Sequence, residues 1–283
     1  MQAKRIPRIA ENVLCDWELP SMSESTLKPG YFGPESRRLF GVRHIPRVAP
    51  RAAVLICPPL LHEHVRSYRF FSQVASRFAD DGLACLRFDY YGTGDSEGDD
   101  SQFHPDQVTR DLQLAALELR EVSGDVPMIV MGVRASALLV CREVPALGAS
   151  AIWLWQPVDD AAAYVQSLDA RDRSERASDN RYPLLRGSAP AQPEDLMGFR
   201  LNPDFRKALA ACTLSSDISV PSVVVDSASG EGRGIHADAH YQLPEALAAW
   251  TTEIDLDGLI PFRAAEPTIR SLLSEQVQRV CHG

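Results

Sequence analysis

Five short apolar runs recur along the chain at spacings that few architectures accommodate. AAVLIC (52–57), LACLRF (83–88), MIVM (128–131), AIWLW (151–155) and SVVVD (222–226) carry little polar interruption, as strands buried on both faces of a parallel sheet require. Amphipathic stretches fall between them, at 68–78, 108–122 and 135–144. Gly82 marks the end of the first, where a left-handed C-cap favours glycine. Strands alternating with helices in this way predict an α/β fold with a mostly parallel, doubly wound sheet. Two weaker strand signals, Tyr31-Phe32 and Leu39–Ile45, flank a polar turn at 34–38 and predict a leading hairpin.

With 283 residues the chain can bury a sizeable core, as two domains or as one α/β domain with an insertion. The spacing favours the second: an extension over 1–28, a core formed by 29–156 and 218–283, and a lid inserted at 157–217. The insertion is charged and Pro-punctuated, with helices expected near 160–168 and 203–211. After SVVVD the pattern predicts a helix at 244–250, a strand at 252–256 and a closing helix from about 264 to 280. Apolar residues make up 45% and charged residues 24%, which excludes wholesale disorder.

The net charge of −9 repels nucleic acid and anionic membranes, so neither is expected as a partner. The six cysteines lie far apart with no CxxC pair, which encodes neither a zinc site nor a disulfide scaffold. No run approaches the length of a membrane span or a signal h-region, and cytoplasmic residence is expected. No metal or cofactor is implied.

The segment RFDYYGTGDSEGD (87–99) carries the most chemistry. A buried strand runs into a loop with glycines at Gly92, Gly94 and Gly98, where positive φ is cheap. Here the sequence resembles the α/β-hydrolase superfamily, in which a D-x-x-G-x-G-x-S loop follows the fourth strand. LICPPLLHEHVRSYRFFSQVASRFADDGLACLRFDYYGTGDSEG is similar to the serine-aminopeptidase-like branch. GVRASALL and LWQPVDDAAAY, with PFRAAEP near the C-terminus, more narrowly resemble hydrolases associated with the exosortase A system. The resemblance covers most of the chain from about Gly30.

It implies a nucleophile on a strained strand-to-helix turn, G-x-S-x-G. The corresponding turn here is Gly132-Val133-Arg134-Ala135-Ser136, with arginine at the nucleophile position. A guanidinium stays protonated and has no lone pair free to attack a carbonyl. Ser136, two residues on, is rotated away from the apex by roughly 200° on a helix, and is a fallback nucleophile only. Its simpler role is a small residue that lets helix and sheet pack. The superfamily's histidine after the last strand is also missing, since Asp257-Gly-Leu-Ile-Pro-Phe262 contains no imidazole. Asp226, Glu231 and His236 are fallback acid and base groups.

Arg134 at a helix N-terminus opposes the macrodipole and needs an anionic partner. An internal acid such as Glu63 makes the pair structural. A ligand carboxylate, phosphate or thioester oxygen instead makes an anion site of Arg134 and the backbone at Val133 and Ala135. The loop Pro58-Pro-Leu-Leu-His-Glu-His64 supplies the other oxyanion N–H, from Leu60 or Leu61, and His62 and His64 flank Glu63 there. Any surviving acid–base chemistry falls to Glu63 with one of these histidines. Trp155 and Tyr164 are expected beneath the lid, with Trp153 in the core.

Three functions compete. One is a fold repurposed to bind a small anionic or acyl ligand without a serine acyl-enzyme. The second is a non-catalytic partner-binding protein, and the third an esterase or thioesterase with a displaced nucleophile. The subgroup resemblance implies a biosynthetic setting, with a biosynthetic or carrier protein as partner.

Overall fold

A computed structural model describes residues 25–177, 194–214, 218–248, 250 and 261–282. Among the described residues eight strands form one sheet in the order β1-β2-β4-β3-β5-β6-β9-β10. β1 (Thr26–Phe32) and β2 (Leu39–Ile45) are the expected hairpin. β2 also runs antiparallel to β4 (Leu83–Phe88). The remaining neighbours are parallel: β3 (Ala52–Cys57), β5 (Met128–Val133), β6 (Ala151–Trp155), β9 (Ser222–Ser227) and β10 (Ala239–Leu243). Every residue of β3, β4, β5, β6 and β9 is buried, which explains their largely apolar sequences.

Two hydrophobic cores lie on opposite faces. α1 (Leu61–Asp80) and α7 (Phe262–His282) cover one, with Phe70, Phe71, Phe78, Ile269 and Leu272 against Trp153 and Trp155. α2 (Val108–Ser123), α3 (Ser136–Cys141) and α4 (Val144–Leu147) cover the other. The inserted segment adds α5 (Ala161–Ala177), a short hairpin of β7 (Asp195–Leu196) and β8 (Phe199–Arg200), and α6 (Phe205–Ala210). Tyr164, Leu168, Leu201 and Phe205 from this segment join the second core.

The sequence expectations need four corrections. The sheet starts at Thr26, so residues 26–28 belong to β1 rather than to an extension. Helix α1 starts at Leu61, so His62, Glu63 and His64 lie on its first turn, not in a loop. In the stretch 244–250 the described residues form a 3-10 turn, Glu245–Leu247, where an α-helix is expected. A strand, β10, precedes it at 239–243. The strand expected at 252–256 lies outside the described residues, as do residues 1–24 and 257–260.

Candidate functional site

The site is built where β5 ends. Gly132 has no room for a side chain, because a Cβ there would stand 2.6 Å from Val140 Cγ2 and 2.9 Å from Ala137 Cα. Helix α3 therefore comes down directly onto the strand, and the chain turns sharply between them. Arg134 makes that turn with φ of +52°, a left-handed backbone that costs a non-glycine residue roughly 1–2 kcal/mol. Its N–H donates to the Trp155 carbonyl at 3.0 Å, and its carbonyl accepts from Ala137 N–H at 3.0 Å. Arginine thus makes the turn between β5 and α3.

The guanidinium is closed in by groups from distant parts of the chain. Arg134 Nε donates to Glu63 Oε1 at 3.2 Å, and Nη1 donates to the Gln156 carbonyl at 2.9 Å. The ring of Trp250 lies 5.5 Å from the guanidinium carbon, within cation–π range. The second Glu63 oxygen accepts from the Tyr164 hydroxyl at 3.1 Å. The Arg134 and Glu63 side chains are 12% and 2% exposed. Burial opposes the charge on Arg134, but Glu63, Tyr164 and Glu231 outweigh it, so the guanidinium's pKa is held above its ordinary value. Burial, then the Glu63 charge, pushes the Tyr164 phenol well above its usual range. It stays a neutral donor.

The other expected residues separate into distinct places. Ser136 is fully buried, accepts from the Tyr90 hydroxyl at 3.1 Å, and donates to the Pro58 carbonyl. Its lone pairs and proton serve a network beneath the turn. His64 turns away from Glu63 and places Nε2 3.0 Å from Asp89 Oδ1. Asp89 in turn accepts from Asp95 N–H at 2.9 Å. His62 is buried on the same turn of α1.

Asp226 ends β9 and organises the turn that follows, accepting from Ser227 N–H at 2.8 Å and Gly232 N–H at 2.7 Å. Glu231 opens a 3-10 turn at Glu231–Gly234. Partial burial raises its pKa, against an opposing pull from Arg134. His236 is exposed. Val133 and Ala135 are fully buried.

Trp155 is not a pocket wall. It is 1% exposed and packs its ring 5.8 Å from Phe70 and 5.9 Å from Phe71, on the α1–α7 face. The expectation failed because alternate residues of β6 face opposite sides, and Trp155 shares the side of Trp153. Tyr164 is brought to the site, but as a ligand of Glu63.

Sequence reasoning did not find Trp250, and it did not pair His64 with Asp89. Neither pairing has a local signal, since both depend on chain closure. Gln156 carried one, ending the apolar run at the sheet's C-terminal edge; in the structure it, like Arg134, takes a positive φ, +44°. Among the described residues no cluster of His, Cys, Asp and Glu is arranged to hold a metal ion, and no helix is long and apolar enough to cross a membrane.

The sequence matches no protein-family model and no curated protein. Solved structures do match. A hypothetical protein of Pseudomonas aeruginosa is similar at 14% identity and a TM-score of 0.58, covering 93% of this chain and 99% of that one. Est1E of Butyrivibrio proteoclasticus, solved with ferulic acid bound, is similar at 14% identity and a TM-score of 0.61, over 87% and 99%. The alpha/beta hydrolase GrgF from Penicillium is similar at 15% identity and a TM-score of 0.50, over 71% and 81%. The chain has the α/β-hydrolase fold.

Proposed function

We propose that this chain uses the α/β-hydrolase fold to hold a small acyl or other apolar molecule without forming a serine acyl-enzyme. On this reading Arg134 closes the strand-to-helix turn and does not capture an anion from solution. The observation that carries it is the set of internal partners on Arg134: the Glu63 carboxylate, the Gln156 carbonyl and the face of Trp250. An incoming carboxylate or phosphate would have to displace Glu63, itself held by Tyr164. Of the ligand classes expected from sequence, the anionic one loses its anchor and the acyl one remains.

A displaced nucleophile has little to support it. Ser136 is sealed from solvent and bonded on both sides, whereas an attacking hydroxyl needs a base within hydrogen-bond reach and a substrate beside it. The likeness of GVRASALL and LWQPVDDAAAY to exosortase-associated hydrolases favours a biosynthetic setting, an argument from kinship alone.

The test is covalent labelling with a fluorophosphonate probe, read by mass spectrometry, together with turnover of chromogenic acetate and butyrate esters. No serine should be labelled, and ester turnover should match buffer and be unchanged in Ser136→Ala. Labelling at Ser136, or turnover lost in that variant, would overturn the proposal.

A further inference from the structure

A cavity of about 260 Å3 lies among the start of α1, the loop after β4 and the β7–β8 hairpin, and Arg134 is not part of its lining. By the share of volume that one liquid water occupies, this is space for on the order of ten heavy atoms. Its walls are apolar: Leu61, Val65, Tyr90, Phe103, Phe199 and Leu201. Val65 is 65% exposed, so this residue joins the cavity to the protein surface.

The polar groups in the lining are mostly committed elsewhere. The Thr93 hydroxyl donates to the Tyr90 carbonyl at 2.9 Å, and the Tyr90 hydroxyl donates to Ser136. His64 has its Nε2 on Asp89. The exception is Asp100, a half-buried carboxylate in the lining. Its charged neighbour is Asp99. Partial burial, reinforced by Asp99, holds the Asp100 carboxyl above its usual range. The lining contains neither lysine nor arginine. What it offers a guest is therefore apolar surface and hydrogen-bond acceptors of negative character.

We infer that this cavity is the ligand site, and that it takes an apolar molecule bearing a hydrogen-bond donor head, a hydroxyl or an ammonium, and no anionic group. The inference rests on the proposed function in requiring a bound small molecule, and it narrows that reading from an acyl or other apolar molecule to the second of these, assigning its site. An anion entering here would meet the Asp100 carboxylate in a lining without lysine or arginine, whereas a donor head finds an acceptor and an ammonium finds the aromatic side chains of Tyr90, Phe103 and Phe199 as well.

Three probes of nearly equal size separate the alternatives: 3-phenylpropanol, 3-phenylpropylamine and 3-phenylpropionate, titrated calorimetrically into the full chain near neutral pH. The alcohol and the amine should bind, and the carboxylate at least about tenfold more weakly. Val65→Trp, a change at an exposed helix position, should block the entrance and abolish binding. Asp100→Asn should weaken the amine several-fold while leaving the alcohol unchanged. Binding of the carboxylate within about threefold of the alcohol, binding that persists in Val65→Trp, or no binding by any probe would overturn the inference. Failure of the proposed function would show separately, as acyl-enzyme labelling at Ser136, whatever the probes do.

Discussion

The Arg134–Glu63 pair makes a quantitative prediction that distinguishes a structural lock from a poised anion site. Glu63→Gln keeps the shape of the side chain and one acceptor oxygen but removes the charge. Breaking a buried pair by removing one partner costs about 3–5 kcal/mol. Arg134 would still hold the Gln156 carbonyl and the Trp250 face, and it is 12% exposed. We therefore place the loss at the low end, about 3 kcal/mol. Arg134→Gln leaves a carboxylate that is 2% exposed, with Tyr164 as its remaining partner, and should cost the full 3–5 kcal/mol or so. The double variant, two neutral amides in the same space, should fall well short of the sum, with a coupling energy of about 2 kcal/mol. Urea unfolding followed by circular dichroism and by tryptophan fluorescence reads each value, provided the m-values agree. Additive single variants, with coupling below about 0.5 kcal/mol, would refute the lock. So would a Glu63→Gln variant more stable than the wild type, because the carboxylate would then be a burden carried for function.

Three further outcomes are expected. His44 is buried, accepts from Arg87 Nε at 3.2 Å, and has its pKa lowered from 6.5 to about 3 by burial first and by Arg87 second. A depressed folded pKa means that stability is complete above the unfolded value of 6.5 and is lost as pH falls toward 3, by at most on the order of 4–5 kcal/mol. His44→Gln should flatten the urea midpoint against pH across that window, and an unchanged slope would refute the assignment. Burial pushes the thiol of Cys141 up to about 12 and also raises Cys57 and Cys85. Iodoacetamide should leave all three unmodified in the native protein and modify them in urea, as read by peptide mass spectrometry. Gly132→Ala forces a methyl against Val140 and Ala137 and should cost about 1–3 kcal/mol, measured as a shift in urea midpoint. A neutral result would mean that α3 does not press on β5.

Legibility in the sequence followed burial. The five largely apolar runs became β3, β4, β5, β6 and β9 to within two residues, because a strand covered on both faces leaves few positions for a polar side chain, here Arg87 in β4 and Ser222, Asp226 and Ser227 in β9. β10 escaped notice for the complementary reason. Among the described residues it pairs with β9 alone, its residues alternate in exposure, and AHYQL carries no apolar run. The first turn of α1 was equally opaque, since Leu60 caps it without a side-chain hydrogen bond and Pro58-Pro59 suggests a loop. At the site, position 134 was legible because the turn is local: strand, tight glycine and helix all lie within a few residues. Its surroundings were legible only as alternatives, since Glu63, Tyr164 and Trp250 reach it through contacts between distant segments.

The energetics at position 134 explain why the closure must be complete. A left-handed backbone, a buried cation and the positive end of a helix each act against arginine there. Helix α3 is only six residues long, which keeps the last of these small, but burial of the charge is large. No single partner offsets it. Glu63 supplies the countercharge, Gln156 and Trp250 cover the rest of the guanidinium, and Tyr164 fixes Glu63 from the inserted segment. The lock therefore ties the first turn of α1, the end of β6, α5 and Trp250 to one residue. A ligand that drew Arg134 outward would have to break its contacts with Glu63, Gln156 and Trp250 at once, whereas a guest in the cavity beside Leu61 needs to break none. This difference makes a non-anionic guest the cheaper occupant, and it is the reason the three probe molecules should rank as they are expected to.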